Sequence, residues 1–264
     1  MISMKVLNKI LIYLAVAVLL LVLAVLAVIF WPREPVPDGA VPRKDIVSYF
    51  VGDVTNDGEP ELLVISGAGK IDTGERYGQL LLVCDASFAD DLTSLRYIPS
   101  EKIYHRIDLA GIKPLKVQIG DVNGDGINEV AICVYKTAKF HEVMAKRPFF
   151  FDLVDGNLIP VWLGSRLSRP FDDYILQDIN ADGIDEIISI ELLEDGKRVT
   201  AAYVWKGFGF EVLAESEAFD GMLSFDAATD DASGICVTFS AGREQSALVF
   251  SLKDDSLVYE ETNS

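Results

Sequence analysis

The chain has 264 residues, half of them hydrophobic, and carries a formal net charge of −18 at pH 7. Residues 32–264 hold 21 basic and 41 acidic side chains, so the surface they form repels the phosphates of nucleic acids and attracts cations. Cys84, Cys133 and Cys236 stand in apolar runs without a CxxC motif, which indicates buried thiols and argues against zinc.

Residues 10–31 form the first predicted element, an unbroken apolar stretch that follows a short stub, residues 1–9, containing Lys5 and Lys9. At 1.5 Å per residue, a helix of this length crosses a hydrocarbon core of roughly 30 Å. Because basic residues precede it, we expect a single-pass anchor with a cytoplasmic N-terminus and the remaining chain outside. A cleaved signal peptide is the alternative. Its apolar part is usually shorter and ends in small residues, whereas Phe30 and Trp31 end this stretch.

Residues 32–44 contain four prolines and predict an extended stalk between the membrane and a domain over residues 45–264. No cysteine stands directly after the apolar stretch, so the sequence does not indicate a lipoprotein.

Three segments of this domain repeat one pattern: GDVTNDGEPELLVIS from Gly52, GDVNGDGINEVAICV from Gly120 and QDINADGIDEIISIE from Gln177. A fourth segment, from Phe225, keeps the apolar positions but has lost most of the polar ones. A stretch rich in β-branched and aromatic residues follows each segment, with turn residues in the middle.

Each repeat therefore predicts about four antiparallel strands. Four such sheets, stacked so that each buries its neighbour's face, predict an all-β domain, a β-propeller-like array of about four four-stranded blades. No segment sustains a 3.6-residue apolar period, which excludes helical repeats. The spacing leaves open whether four blades close into a ring.

The polar positions of each segment match the ligands of a calcium loop. In the second copy, Asp121, Asn123 and Asp125 offer oxygens at positions 1, 3 and 5, Ile127 offers its carbonyl at position 7, and Glu129 closes the shell at position 9. Oxygen ligands without sulfur or imidazole favour calcium or magnesium, and a loop with many protein ligands favours calcium.

The other two copies place equivalent groups at the same positions, and we predict two to three bound Ca²⁺ ions. The third-copy residues are Asp178, Asn180, Asp182, Ile184 and Glu186, and the first-copy residues are Asp53, Thr55, Asp57, Glu59 and Glu61. Thr55 is a poorer ligand than asparagine, so the first loop ranks below the others. An EF-hand or dockerin would need a glutamate at position 12 and flanking helices. Here position 12 is Val64, Ile132 or Ser189.

These motifs resemble FG-GAP or VCBS-type repeats, the calcium-loop blades of integrin α-subunit propellers and of many bacterial membrane-anchored surface proteins. The resemblance covers roughly residues 45–262. It implies a propeller in which calcium stabilises blade hairpins and loops bind partners. The implied ligands are Asp53, Asp57, Glu61, Asp121, Asn123, Asp125, Glu129, Asp178, Asn180, Asp182 and Glu186. Two features depart from the family: it often has six or seven blades, and the fourth copy has Ala228 and Asp231 at positions 3 and 6, which indicates no ion there.

One region breaks the acidic trend and is a candidate partner-binding site. It comprises Lys139, Lys146, Arg147, Arg166 and Arg169, all in the second repeat. Its expected ligand is a protein or an anionic glycan or headgroup, and the alternative is that these bases pair with the domain's own carboxylates.

The sequence contains no motif of a hydrolase triad, a P-loop or a zinc protease. We therefore expect a non-enzymatic binding or structural module at the cell surface. We expect it to be anchored in the membrane and not to bind nucleic acid. The alternatives are a propeller-based hydrolase or lyase acting on carbohydrate or lipid, and a subunit of a membrane sensor or assembly complex. A cleft with a carboxyl pair outside the loops would favour the enzyme.

Overall fold

The computed structural model describes residues 16–22, 35–90, 92–139, 141–164, 166–226 and 234–262. The chain divides into two compact units, Met1–Pro37 and Asp38–Ser264. In the first unit, residues 16–22 are helical, and the rest of the predicted span of residues 10–31 lies outside the described residues. Within the ranges given above, no helix has the length and apolarity needed to cross a bilayer.

The described part of the second unit consists mainly of β-strands. In chain order they are β1 (Val41–Pro42), β2 (Ile46–Gly52), β3 (Glu61–Ser66), β4 (Gly69–Lys70), β5 (Arg76–Tyr77), β6 (Leu80–Asp85), β7 (Tyr97–Ile98), β8 (Ile103–Asp108), β9 (Pro114–Gly120), β10 (Glu129–Ala138), β11 (His141–Val154), β12 (Asn157–Leu163), β13 (Phe171–Gln177), β14 (Glu186–Leu192), β15 (Arg198–Trp205), β16 (Phe210–Glu215), β17 (Met222–Phe225), β18 (Ile235–Ala241), β19 (Glu244–Lys253) and β20 (Ser256–Thr262). Three short 3-10 helices lie between strands, at Arg43–Asp45, Ala86–Phe88 and Ser100–Lys102.

Sixteen of these strands form four antiparallel sheets of four strands each. The sheets follow the chain: β2-β3-β6-β8 is the first, β9 to β12 the second, β13 to β16 the third and β17 to β20 the fourth. Two small pairs, β1 with β7 and β4 with β5, complete the unit. The all-β class and the four-stranded antiparallel sheets predicted from the repeats are therefore confirmed.

Apolar clusters join each sheet to the next one along the chain. Representative buried members at the three successive interfaces are Ile65 and Phe149, Phe150 and Tyr203, and Ile188 and Phe250. The second strands β3, β10 and β14 are covered on both faces, so their first six residues are all buried. This double cover explains why their sequences are continuous apolar runs, without the alternation of a half-exposed strand.

The two ends of the stack differ. The outer face of the first sheet is covered by residues of its own repeat, with Ile98 and Val41 packed in the cluster that contains Leu62. In the fourth sheet, β18 buries Ile235 against the third sheet and leaves Cys236 partly exposed on the other face. Among the residues the structure describes, no apolar cluster joins the fourth sheet to the first, so these sheets form a stack with two ends and no closed ring.

The second unit begins inside the segment predicted as a stalk, residues 32–44. Val41 pairs with Ile98 and is only 6% exposed. The Lys44 carbonyl accepts a hydrogen bond of 2.6 Å from Arg76 Nη2. Because these contacts attach the segment to the first sheet, the compact unit starts at Asp38, earlier than the predicted residue 45.

Strand direction places the connections at two opposite ends of the stack. The first strand of each sheet leads into a pattern segment, so the three predicted metal loops lie at one end, here called the loop end. The connections between the second and third strands lie at the other end, here called the hairpin end. They include residues 67–79, 193–197 and 242–243 and, between β10 and β11, residue 139.

Candidate metal loops

Each predicted loop joins the first two strands of a sheet. Loop 1 is residues 53–61, loop 2 is residues 121–129 and loop 3 is residues 178–186. The two strands that flank each loop stay paired up to the loop itself. The last pairs are Gly52 with Glu61, Gly120 with Glu129 and Gln177 with Glu186. The position-1 aspartate therefore follows one strand, the position-9 glutamate begins its partner, and the two are held close together.

Loop 2 brings three carboxylates to one point. One carboxylate oxygen from each of Asp121, Asp125 and Glu129 lies within 4.8 Å of the other two. Glu129 is fully buried, and its Oε2 accepts a 2.9 Å hydrogen bond from the Val122 N–H. Its Oε1 accepts from the Asn123 side-chain amide. The residues predicted at positions 1, 5 and 9 are thus in mutual reach of one small ion, and the position-3 side chain bonds to the position-9 carboxylate.

The backbone of loop 2 folds around the carboxylate of Asp121. Its two oxygens accept N–H groups from Gly124 at 2.7 Å and from Gly126 at 2.8 Å. Gly126 has a φ of +82°, a left-handed conformation that glycine adopts without strain. The glycine at position 6 therefore permits the sharp turn that the sequence pattern predicted.

Loop 3 reproduces the hydrogen-bonded turn of loop 2, although within the described part of the chain only loop 2 brings three carboxylates within 4.8 Å of one another. Asp178 accepts N–H groups from Asp182 at 3.1 Å and from Gly183 at 2.8 Å. Asn180 Nδ2 donates to Glu186 Oε1 at 2.9 Å and to Asp182 Oδ2 at 3.0 Å. Glu186 is fully buried like its counterpart in loop 2.

Loop 1 keeps the same turn with a different residue at position 3. Asp53 Oδ2 accepts the Gly58 N–H at 2.9 Å. Thr55 Oγ1 donates to Glu61 Oε1 at 3.1 Å, so this hydroxyl takes the place of the amide donor found in the other loops. Threonine supplies one hydroxyl oxygen and no amide carbonyl, which keeps loop 1 the weakest of the three candidates.

Position 7, predicted to offer its backbone carbonyl, is fixed in all three loops by the same turn. The residue-7 N–H donates at 2.9 Å to the Oδ1 of the residue-5 aspartate, in the pairs Glu59 and Asp57, Ile127 and Asp125, and Ile184 and Asp182. Such Asx turns are local, so hydrogen bonds within each loop hold its backbone in this turn.

The fully buried glutamates of loops 2 and 3, Glu129 and Glu186, carry raised pKa values. Burial raises the pKa of Glu129 to about 7; the Val122 N–H opposes the shift, and the charges of Asp121 and Asp125 add to it. Burial likewise raises the pKa of Glu186 to about 7, with repulsion from Asp182 and Asp178. At neutral pH a nearby cation would favour the ionised form of both side chains.

Position 8, which the sequence pattern left as a variable residue, connects neighbouring loops. Asn128 in loop 2 donates its backbone N–H to Asn56 Oδ1 and its side-chain Nδ2 to the Asp53 carbonyl, both at 2.8 Å. Asp185 in loop 3 donates its N–H to the Asp121 carbonyl at 2.7 Å. The position-1 residues of loops 1 and 2 are therefore each bonded to the next loop, a relation that a single repeat does not reveal.

The fourth segment does not reproduce the site. Asp226 stands at position 1, where its Oδ1 accepts a 2.6 Å hydrogen bond from Thr238 Oγ1. Gly234 occupies position 9, where the other loops carry glutamate. The intervening residues 227–233 lie outside the described residues.

Among the residues predicted to bind a partner, Arg147 is buried. It has no exposed surface, and its guanidinium donates to the carbonyls of Lys136 at 2.8 Å, His141 at 2.9 Å and Val143 at 2.7 Å. In the described part of the chain its Nη1 has no hydrogen-bond partner. Arg147 is thus an internal brace of the β10–β11 hairpin, contrary to the expectation that it lies on a partner surface.

The other four predicted partner residues do not form one free patch. Lys146 bonds to Glu75 at 2.7 Å, and Arg169 bonds to Glu191 at 3.0 Å and to Glu215 at 2.7 Å. Lys139 and Arg166 are exposed. The alternative considered from the sequence, pairing with the domain's own carboxylates, therefore applies to Lys146 and Arg169.

Glu191 and Glu215 are a carboxyl pair outside the loops. Glu191 is fully buried and accepts hydrogen bonds from Tyr203, from Ser189 at 3.2 Å and from Arg169. Because a bound arginine and two hydroxyls occupy its oxygens, this group is suited to holding the chain before β13 against the third sheet. It lacks the access that an acid or base catalyst needs.

The sequence matches no protein-family model and no curated protein.

Proposed function

We propose that this chain is a membrane-anchored, extracytoplasmic β-repeat module that binds two to three Ca²⁺ ions and has a non-enzymatic binding or structural role at the cell surface. One observation carries the proposal. Loop 2 brings three carboxylates within 4.8 Å of one another, and loop 3, with loop 1 more weakly, repeats its aspartates at positions 1 and 5 and its buried glutamate at position 9 around the same turn.

The electrostatics of the loops supports a bound cation. Loops 1 to 3 contain eleven acidic residues and no basic one. Two unit charges 4 Å apart repel by about 4 kcal/mol at an effective dielectric constant of 20. That energy is comparable with the whole stability of a domain, about 5–15 kcal/mol, so a divalent ion would offset a large destabilisation. Carboxylate, amide and carbonyl oxygens together suit calcium.

The stack of four-stranded meanders supports a propeller-like blade array of the FG-GAP or VCBS type. In such an array each loop joins the two innermost strands of a blade, and loops 1 to 3 all join the first two strands of a sheet. The position-8 hydrogen bonds supply a reason for the ions to stabilise neighbouring blades together.

A thermal melt tests the metal proposal. The full-length protein should melt several degrees higher in millimolar calcium than in chelator, because only the folded loops bind the ion. Asp125→Ala and Asp182→Ala should each remove part of this gain. Asp230→Ala, at position 5 of the fourth segment, is the matched control and should leave the gain unchanged. Equal melting in both buffers, for a protein without bound calcium, would reject the proposal.

The proposal that the chain is anchored in a membrane depends on the apolar residues 10–31 and the lysines before them. Protease added outside intact cells or spheroplasts should degrade residues 38–264 and spare the stub. Complete protection of the β domain by an intact membrane would reverse the topology, without affecting the metal proposal.

A further inference from the structure

Two hairpins project at the hairpin end, away from the metal loops. One is residues 67–79, which contains β4 and β5. The other is the tip of the β10–β11 hairpin, residues 135–139 and 141–147. Strand β9 pairs with β10 only as far as Val134, and β12 pairs with β11 only from Phe149, so the tip extends past both of its neighbours. These two hairpins together are called the double arm below.

Contacts between the hairpins make the double arm one unit. Tyr135 Oη donates to Asp72 at 2.8 Å, and Lys146 Nζ donates to Glu75 at 2.7 Å. Lys113 Nζ lies 5.7 Å from the ring centroid of Tyr77 and 5.9 Å from that of Tyr135, within the range of cation–π attraction. Together with the buried brace at Arg147, these contacts hold the tip in a fixed position.

The double arm is positive in a strongly negative domain. It contains six basic side chains and three acidic ones, and Lys113 adds a further positive charge. The basic residues are Lys70, Arg76, Lys136, Lys139, Lys146 and Arg147, and the acidic ones are Asp72, Glu75 and Glu142. Since the metal loops at the opposite end are purely acidic, the domain has a charge asymmetry along the strand direction.

The tip also exposes aliphatic side chains. Val143 is 59% exposed and Met144 is 40% exposed, and both lie on β11 between Lys139 and Lys146. Aliphatic groups flanked by lysines can enter the boundary between lipid headgroups and acyl chains, while the ammonium groups stay among the headgroups.

We propose that the double arm docks on an anionic lipid surface. The chemistry of its bases favours lipid over an acidic protein. Recognition of a protein carboxylate uses the planar fork of arginine, but both arginines of the arm are engaged with backbone carbonyls, Arg76 with Lys44 and Ile46 and Arg147 within the tip. The exposed lysines of the arm are Lys70 and Lys139, point charges that suit a diffuse array of headgroups. The inference is independent of the metal proposal.

The test places a probe on each end of one strand of the full-length protein. Val143→Cys reports the tip, and Val154→Cys, at the loop end of β11 and 50% exposed, is the matched control. Both variants also carry Cys236→Ser, because Cys236 is partly exposed and would react with the label. Cys84 and Cys133 are buried and can stay. Each variant carries a fluorophore that brominated acyl chains quench, in nanodiscs of phosphatidylcholine with or without phosphatidylglycerol.

We expect quenching at residue 143 only in discs that contain phosphatidylglycerol, and none at residue 154. Replacing both Lys70 and Lys139 with glutamate should weaken that quenching at least about fivefold, because each lysine near an anionic surface contributes to binding. Lys253→Glu, at the loop end, should leave the quenching unchanged. Equal quenching in neutral discs, quenching at both positions, or none at residue 143 would overturn the proposal. A response of residue 143 to soluble polyglutamate but not to lipid would instead assign the arm to an acidic polypeptide.

Discussion

Glu129→Gln separates the cost of a buried carboxylate from its use as a metal ligand. Burial raises the pKa of Glu129 from 4.5 to about 7, so at pH 8 without metal its ionisation costs the folded state about 3 kcal/mol, at 1.36 kcal/mol per pKa unit. Glutamine is neutral but has one acceptor oxygen for the two donors, Val122 N–H and the Asn123 amide. Losing one of these hydrogen bonds costs about 1 kcal/mol. The variant should therefore be more stable than the wild type by about 2 kcal/mol in chelator.

Thermal unfolding at pH 8 measures this difference. For a domain of this size, about 2 kcal/mol corresponds to roughly 4–8 °C, so Glu129→Gln should melt higher than the wild type in chelator by that amount. In millimolar calcium the order should reverse, because the variant has lost a charged ligand. Glu211→Gln changes an exposed glutamate and should alter neither melt. A Glu129→Gln protein that melts below the wild type in chelator would refute the reasoning.

Four further outcomes are expected. In chelator, the free energy of unfolding should fall as pH rises from about 4.5 to about 7, because Glu129 and Glu186 bind protons more tightly in the folded state. Saturating calcium should remove this slope in a pH series of melts. Ala181→Gly should raise the melting temperature in chelator, since Ala181 has a φ of +61° and the left-handed conformation costs about 1 kcal/mol without glycine. Arg147→Ala should lower the free energy of unfolding, measured by urea denaturation, by roughly 3 kcal/mol, because it leaves three carbonyls unpaired, while Arg166→Ala should not change it. Asn128→Ala should weaken calcium binding at loop 1 about fivefold and spare loop 3, as titrations would show.

The repeat pattern predicted the sheets and the loops because both depend on local sequence. Each pattern segment contains its own turn, with Gly126 at the position that needs a positive φ, and an apolar run that must be a strand covered on both faces. The change to alternation in β18, where Ile235 is buried and Cys236 is not, marks the sheet with an uncovered face. That signal was present in the sequence, although it became interpretable only with the stack.

Contacts between repeats could not be predicted from one repeat. Asn128 and Asp185 occupy a position whose residue type varies, and only the stacking of loops gives it a role. Arg147 was placed on the surface because it is charged. Strand period two puts its side chain on the same face as Phe149 and Phe151, which pack against the first sheet, so alternation predicts its burial better than charge does.

The central claim is that the loops bind calcium, and the number of bound ions tests it most directly. Native mass spectrometry of the full-length protein, released from detergent after equilibration with calcium, would count them. The account predicts two to three ions per chain, one fewer in Asp125→Ala and one fewer in Asp182→Ala, with no loss in Asp230→Ala. A chain that carries no calcium at millimolar concentration, or whose count is unchanged by the loop substitutions, would contradict it.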